Sequence, residues 1–197
     1  MTRVARSGLA ALALAAVLAG CSSPSHHAAK PPARTVVKTF AAYAANGDLN
    51  VQVADVATGT CWTTSIAAPV PGAYRCIAGD RIYDPCFAPA HPVRPIEVAC
   101  LSAPWADAEV LRLPGALPSA APLPGNSRPW AIQLSNGARC VATTGTVPQV
   151  NGVDLGFHCT DGRDAALVSA TALAVAEYGA PSAGALRRVT VTTIWRG

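Results

Sequence analysis

The hydrophobic pattern is clearest in the last third of the chain, where short apolar runs are separated by turn residues. Residues 130–134 form one such run, Asn-Gly follows at 136–137, and a second run covers residues 139–142. Asn-Gly between two apolar runs predicts a β-hairpin, because both residues readily adopt the positive φ of a tight turn. Residues 189–195 are β-branched and alternate, so they predict another strand, with its aromatic end in the core.

Weaker signals continue this pattern through the rest of the chain. Strands are predicted at residues 49–56, 95–101 and 109–113. The alanine-rich residues 165–178 follow Asp-Gly and precede Gly-Ala-Pro, so we interpret them as strands rather than as a helix. Residues 39–45 have the composition of a short helix or coil.

Prolines are concentrated in the middle of the chain. Ten of them lie between residues 85 and 129, and proline is excluded from central strands and helix interiors because it lacks an N–H. We therefore expect residues 113–128 to connect two halves, residues 39–112 and 129–197. The combined length suits one domain or two closely packed halves.

The cysteines indicate a cross-linked fold. Six of the seven lie within the two halves: Cys61, Cys76, Cys86, Cys100, Cys140 and Cys159. No pair has Cys-x-x-Cys spacing, so neither a zinc site nor a thioredoxin-like redox site is predicted. An even number in an exported chain predicts three disulfides. We favour the sequential pairing, because hairpins bring near neighbours together, and we predict a mainly β, disulfide-linked domain of antiparallel strands.

Two stretches of the chain resemble each other. In each, a cysteine follows a glycine turn, and a second cysteine comes two residues after an aromatic residue and just before another turn. The first stretch contains Cys61 and Cys76, and the second contains Cys140 and Cys159. We predict one hairpin-and-disulfide unit that is used twice. The alternative is that any cystine-rich strand protein would show these common hairpin features.

The first twenty residues have the pattern of a secretory signal peptide. Arg3 and Arg6 precede an apolar run over residues 8–18, which is shorter than the ~20 residues that span a bilayer. The run leads into Leu-Ala-Gly-Cys at residues 18–21, which resembles the bacterial lipobox at all four positions. That resemblance implies removal of the signal peptide and a diacylglyceryl group on Cys21. The alternative is an ordinary cleaved signal followed by a coincidental cysteine.

Residues 21–38 are small, polar and proline-containing, so we predict a flexible tether between the lipid and the domain. This segment carries Lys30, Arg34 and Lys38 and no acid, whereas the chain beyond it has ten arginines and eleven acids. The net charge of +4 therefore belongs to the signal peptide and tether, and the domain is near neutral. This excludes the basic footprint of a nucleic-acid-binding domain. The lipobox resemblance implies the membrane as a partner, through the lipid on Cys21.

Candidate catalytic chemistry is sparse. The chain has no Gly-x-Ser-x-Gly nucleophile elbow, no His-Glu-x-x-His zinc helix and no glycine-rich phosphate loop, so we predict no metal and no cofactor. Asp84 and Glu97 flank the predicted Cys86–Cys100 bridge and form the one carboxylate pair that could serve a hydrolase, with His91 nearby. Ordinary loop and cap roles explain these carboxylates better.

The tryptophans and His158 have structural interpretations as well. Trp62 directly follows Cys61, and a tryptophan packed on a disulfide is a common core feature. His158 precedes Cys159 on a predicted strand, so we expect it to face solvent. We favour core packing over an aromatic platform for a sugar or peptide for all four tryptophans, Trp62, Trp105, Trp130 and Trp195.

Several runs together give the chain a resemblance to a known group. They are Cys-Trp-Thr at 61–63, Tyr-Arg-Cys at 74–76, Ile-Tyr-Asp-Pro-Cys-Phe at 82–87 and Pro-Trp-Ala-Ile-Gln-Leu at 129–134. With the lipobox and the composition rich in Ala, Pro and Arg, they resemble actinobacterial, in particular mycobacterial, cell-envelope lipoproteins of unassigned function. The resemblance covers most of residues 57–197 and implies a location and a fold style, without catalytic residues.

These observations predict a lipid-anchored domain on the extracytoplasmic face of the cell membrane, which binds an envelope protein or wall component and is not an enzyme. The flexible tether, the disulfide framework and the lack of a catalytic motif support this hypothesis. Two alternatives stay open. One is a carrier of a lipid or other apolar ligand, suggested by the content of Ala, Leu and Val. The other is a cell-envelope hydrolase that uses Asp84, Glu97 or His91.

Overall fold

The structure is a computed structural model, and it describes residues 34–119, 128–170 and 173–197. These residues are mainly β-strand, and the one helical element among them is a 3₁₀ turn at Pro181–Ala183. No helix in the described part of the chain is long and apolar enough to cross a membrane. The predicted fold class, a disulfide-linked domain of mostly antiparallel strands, is confirmed. Cys21 and residues 1–20 lie outside the described residues.

The strands are numbered in chain order. They are β1 (Val36–Thr39), β2 (Val53–Thr58), β3 (Thr60–Thr64), β4 (Ala73–Ala78), β5 (Arg81–Phe87), β6 (Ile96–Cys100), β7 (Ala108–Leu113), β8 (Ala131–Leu134), β9 (Arg139–Ala142), β10 (Gln149–Val150), β11 (Val153–Asp154), β12 (Phe157–Cys159), β13 (Asp164–Ser169), β14 (Val175–Gly179) and β15 (Arg187–Arg196). The predicted strands at 49–56, 95–101, 109–113, 130–134, 139–142 and 189–195 are all present, with bounds that differ by a few residues.

The first half forms a six-stranded sheet in the order β2-β7-β6-β5-β4-β3. The pair β2–β7 is parallel, and the other neighbours are antiparallel. β2 and β3 are the two edge strands of this sheet, and only Gly59 separates them in the chain. A Cβ atom on Gly59 would lie 2.6 Å from the carbonyl oxygen of Ile77. This close approach requires glycine.

The second half closes into a six-stranded antiparallel barrel. Its order is β8-β9-β12-β13-β14-β15, and β15 pairs back with β8. Alternate side chains, including those of Ile132, Leu134, Phe157 and Ile194, are buried inside, so the barrel interior is filled by protein. Strand β1 adds to β15 in parallel, with Lys38 opposite Trp195.

Three disulfides join neighbouring strands in the predicted sequential pairing: Cys61–Cys76, Cys86–Cys100 and Cys140–Cys159. In each bridge the cysteines are directly opposite across an antiparallel pair, with Cα atoms 3.9 Å apart. The arrangement of β3 and β4 around the first bridge recurs in β9 and β12 around the third. The predicted unit is therefore present in both halves, although the ribbon β10–β11 is inserted in the second copy.

The two Asn-Gly dipeptides form turns of two kinds. Asn151 and Gly152 both have positive φ, 51° and 79°, which makes a type I′ turn. At Gly137 only the glycine is left-handed, with φ 89°. There the N–H of Gly137 donates to the carbonyl of Leu134 at 3.0 Å. This loop is one residue longer than the two-residue turn at Asn151-Gly152.

The domain begins earlier than the sequence analysis placed it. Residues 36–38 were assigned to the tether, and they belong to β1. Just before them, the Thr35 hydroxyl donates to the carbonyl of Val191 at 2.7 Å and accepts the N–H of Ala174 at 2.8 Å. The partner strand β15 lies more than 150 residues away in the chain. The local pattern of apolar and polar residues therefore does not reveal β1, which is why the predicted tether extends too far. Residues 40–45 have no helix, which fits the coil interpretation.

The two halves share a core where they meet. Phe40 follows β1, Phe87 ends β5 and Trp130 precedes β8, and the three rings pack together with centroids 4.8–5.4 Å apart. Trp130 is fully buried among them. Since this cluster draws on both halves and on the N-terminal strand, the halves are closely packed rather than independent.

Candidate binding groove

Asp84, the first residue nominated for catalysis, is a buried structural carboxylate. Its side chain is 3 % exposed. One carboxylate oxygen accepts the Ser65 hydroxyl at 2.5 Å and the Ala67 N–H at 3.3 Å, and the other accepts the Ile66 N–H at 3.2 Å. The guanidinium of Arg75 approaches to 3.9 Å. The carboxylate therefore organises the loop that follows β3, as the structural interpretation predicted.

Glu97 and His91 do not join Asp84 in a site. Glu97 accepts a hydrogen bond from Arg112 at 2.9 Å, across the pair β6–β7. In the pair β5–β6, Asp84 lies two residues from Cys86 and Glu97 lies three residues from Cys100, on opposite sides of the Cys86–Cys100 pair, so they are roughly 16 Å apart along the strands. His91 lies on an exposed loop. The carboxylate pair required by the hydrolase hypothesis is not formed.

The other candidate residues divide between surface and core. His158 faces solvent as predicted, with 64 % of its side chain exposed and its Nδ1 2.8 Å from the Asp164 carboxylate. Trp130 is a core residue, but the core interpretation is wrong for Trp62, which is 46 % exposed. The register of β3 and β4 shifts at Trp62, and its ring lies under the Arg75 guanidinium at 5.8 Å. Trp105 and Trp195 are half-buried and pack on each other, so the core interpretation does not hold for them either.

The disulfide sulfurs have no metal-binding role in this state. The Sγ atoms of Cys76, Cys86 and Cys100 lie within 4.8 Å of one another. All three belong to disulfides, whereas a metal binds the thiolate form. The cluster shows instead that the two bridges of the first half are packed against each other in its core.

A groove of about 580 Å³ lies between the segment after β1 and two loops of the first half, with Gly197 at its edge. We call it the aromatic groove, because four aromatic rings and three prolines contribute to its walls. These residues are Phe40, Tyr43, Tyr74, Phe87, Pro71, Pro89 and Pro92, and alanines and Gly72 fill much of the remainder. Among the residues that the structure describes, no Lys, Arg, His, Asp or Glu side chain lines it.

One wall of the aromatic groove is the segment after β1. Phe40 is held by its N–H, which donates to the carbonyl of Arg196 at 2.6 Å. The N–H of Asn50 donates to the carbonyl of Ala42 at 2.8 Å, so the chain folds back and Tyr43 pairs with Leu49. This wall therefore depends on the long-range pairing of β1 with β15.

The opposite wall comes from two loops of the first half. Gly72 has a φ of +80°, which suits glycine, and its carbonyl accepts the N–H of Ala88 at 2.9 Å. This hydrogen bond ties the loop before β4 to the loop after β5. Phe87, at the end of β5, packs on Phe40 with ring centroids 5.2 Å apart. Both walls are fixed by backbone hydrogen bonds and ring packing.

The side chains that line the groove are uncharged. The hydroxyl of Tyr43 donates to the backbone carbonyl of Glu97 at 3.2 Å. Burial, together with the negative charge of Glu97, raises the pKa of Tyr43 to about 12. The phenol is therefore protonated near neutral pH. An uncharged ligand fits such a surface, because a charged group would lose its hydration without gaining a partner.

A second concavity of about 430 Å³ lies by β5 and β7 and is polar. In it the Tyr83 hydroxyl donates to Glu109, and the Arg81 guanidinium donates to the same carboxylate at 3.1 Å. Partial burial and the bond to Glu109 raise the pKa of Tyr83. These groups satisfy one another, which is the behaviour of a structural ion-pair cluster.

The sequence carries no signature of the aromatic groove. Its rings come from positions 40, 43, 74 and 87, which lie on different elements and share no spacing that marks a motif. The groove is a concave, preorganised surface of the kind that binds ligands. No protein-family model, no curated protein and no solved structure matches this chain.

Proposed function

We propose that the protein is a lipid-anchored, extracytoplasmic domain that binds an extended, uncharged segment of an envelope protein in the aromatic groove. The observation that carries the proposal is the groove itself: a preformed cleft of uncharged side chains with aromatic and proline walls. Aromatic-lined grooves bind proline-rich segments because such a segment is already extended and loses little entropy when it docks.

Three features of the domain support binding rather than catalysis. Asp84, Glu97 and Glu109 are each engaged by neighbouring donors. The barrel interior is filled by buried side chains. The groove walls are fixed by hydrogen bonds and ring packing, so little flexibility is lost when a ligand binds.

A peptide titration followed by NMR tests the binding site. The probe is an uncharged peptide of repeated Leu-Pro-Pro triplets with blocked termini. It is added to the isotopically labelled protein. We expect chemical-shift changes at Tyr43, Tyr74 and Phe87. The variant Ala90→Arg places a long charged side chain at an exposed position in the groove wall and is expected to abolish them. Its matched control, Ala183→Arg, lies at an exposed position outside the groove and is expected to retain them.

Two results would contradict the proposal. Shift changes that persist in Ala90→Arg, or that map outside the groove, would show that the groove is not the peptide site. Saturable binding of palmitate to the groove, with no response to the peptide, would instead favour the carrier hypothesis. The apolar walls make palmitate the appropriate competing probe.

The anchor is tested separately at Cys21. Because the acyl chains of a lipidated cysteine are the membrane attachment, Cys21→Ala is expected to move the protein from the membrane to the soluble fraction. Mass spectrometry of the N-terminal peptide of the unsubstituted protein should show the added lipid on Cys21. Membrane retention of Cys21→Ala, or an unmodified cysteine, would refute the anchor.

A further inference from the structure

Two tryptophans and two cations form a cluster on the outside of the second half. The rings of Trp105 and Trp195 are 5.3 Å apart in an edge-to-face arrangement. The Lys38 ammonium lies 5.5 Å from the Trp195 ring, and the Arg139 guanidinium lies 4.7 Å from the Trp105 ring. We call these four residues the Trp–cation face.

The strand register explains why these side chains share one face. Lys38 is opposite Trp195 in the pair β1–β15, and Trp195 is opposite Ala131 in the pair β15–β8. Arg139 lies in β9, beside β8. Directly paired residues point to the same side of a sheet, and the neighbouring Ile194 is buried inside the barrel. Trp105 reaches this outer face from the loop after β6.

The cations of this face have no carboxylate partner. Five other arginines, Arg75, Arg81, Arg112, Arg163 and Arg188, each lie within 4 Å of an acid. Within the described residues neither Lys38 nor Arg139 forms such a pair, and both are exposed. Lys38 and Arg139 therefore carry positive charge at the surface that no carboxylate neutralises, next to two tryptophan rings. The overall charge of the domain is near zero.

We propose that the Trp–cation face rests on the anionic lipid surface to which the protein is anchored. The inference depends on the lipid anchor of the proposed function. Tryptophan is enriched at the headgroup level of membranes because its ring is amphipathic. Lysine and arginine are attracted to anionic headgroups there. The face combines both properties in one contiguous patch.

The position of the tether favours the membrane as the occupant. Thirteen residues separate Cys21 from Thr35, where the fold begins. The predicted tether of that length would span about 20 Å on average, close to the domain's expected radius of gyration of about 15 Å. The chain enters the fold through β1, so Val36 and Lys38 lie beside the tether, and Val36 and Val37 are 52 % and 57 % exposed. The anchor therefore holds this face near the bilayer.

Fluorescence of the lipidated protein on vesicles tests the proposal. The vesicles contain phosphatidylglycerol and brominated phosphatidylcholine, and bromine quenches tryptophans that reach the bilayer. We expect quenching in the unsubstituted protein, and loss of most of it in the double variant Trp105→Phe, Trp195→Phe. The matched control Trp62→Phe removes an exposed tryptophan outside the face and should retain the quenching.

A charge reversal tests the electrostatic part. Lys38→Glu with Arg139→Glu should lower the quenching by about half or more, because two attractions become repulsions. The control, Arg94→Glu with Arg187→Glu, makes the same change in net charge at exposed positions outside the face and should leave quenching unchanged.

Flotation of the same samples separates this inference from the anchor itself. Protein that floats with the vesicles but shows no quenching of Trp105 and Trp195 would overturn the inference alone. Protein that does not float would overturn the anchor and, with it, this inference. Equal quenching on vesicles without phosphatidylglycerol, or dextran sulfate binding with no quenching on vesicles, would also overturn the anionic bilayer as the occupant.

Discussion

Asp84 illustrates, at the scale of one residue, how a candidate catalytic group proves to be structural. Its sequence neighbourhood, beside a proline and a half-cystine, is compatible with either role. Only the folded chain shows that Ser65, Ile66 and Ala67 all donate to it. A buried acceptor with three donors is costly to alter, because each unsatisfied donor loses its hydration without compensation.

Asp84→Asn is therefore expected to lower the free energy of unfolding by about 1–3 kcal/mol. The amide replaces one acceptor oxygen by an NH2 group, which cannot accept from the loop. The measurement is urea unfolding followed by far-UV circular dichroism. Asp80→Asn, at an exposed turn position, is the control and should change the stability by less than about 0.5 kcal/mol. Equal effects of the two variants would disprove the structural role of Asp84.

Tyr43 gives a prediction about pH. Its pKa is about 12 in the folded protein, above the ordinary value of 10.0, so the folded state retains the phenolic proton longer than the unfolded state does. The stabilisation is fully present below pH 10 and is lost as the pH rises toward 12. In urea unfolding between pH 9 and pH 11.5, Tyr43→Phe should lose less stability over this range than the unsubstituted protein. Parallel pH profiles would contradict the assignment.

At the scale of elements, local sequence was a good guide to strands and turns. The strands at 96–100, 108–113, 131–134 and 139–142 lie within a few residues of the predictions. The I′ turn at Asn151-Gly152 follows from two residues that tolerate positive φ. Such features depend on neighbours in sequence, which is why patterns of apolar and turn residues predict them.

Gly59 shows where an element depends on contacts that its sequence does not reveal. Gly59→Ala would bring a Cβ to 2.6 Å from the Ile77 carbonyl and 3.0 Å from the Leu111 side chain. We expect a loss of about 1–3 kcal/mol in unfolding free energy, as for other overpacked sites. Gly115→Ala, which would meet nothing within 4 Å, is the matched control for the chemical-denaturation measurement. A tolerated Gly59→Ala would show that the β2–β3 junction can move apart.

At the scale of the whole molecule, the N-terminal strand binds the two halves together. β1 pairs with the last strand, and Thr35 bridges Val191 and Ala174 from the interior of the second half. Phe40 then packs on Phe87 of the first half and on Trp130. Residues 36–38, which were predicted to end the tether, are thus part of the fold, and the segment that follows β1 forms one groove wall.

Thr35→Val tests this connection, because valine has nearly the shape of threonine without the hydroxyl. The loss of both hydrogen bonds should reduce the unfolding free energy by about 1–3 kcal/mol. Amide hydrogen exchange should accelerate at Ala174, whose N–H loses its acceptor. Thr35→Ser keeps the hydroxyl and should retain the protection at Ala174. If Thr35→Val leaves that amide protected, the hydroxyl does not secure β1.

The sequence by itself determined the strand-rich class and the positions of the turns, and it favoured the three sequential bridges, because each depends on residues close together in the chain. It also predicted the tether and the lipid on Cys21, which stay predictions. The tertiary structure alone decided the pairing of β1 with β15, the aromatic groove and the Trp–cation face. Their residues, such as Phe40 with Phe87 or Lys38 with Trp195, are distant in sequence. Long-range strand pairing brings them together, and local periodicity carries no record of it.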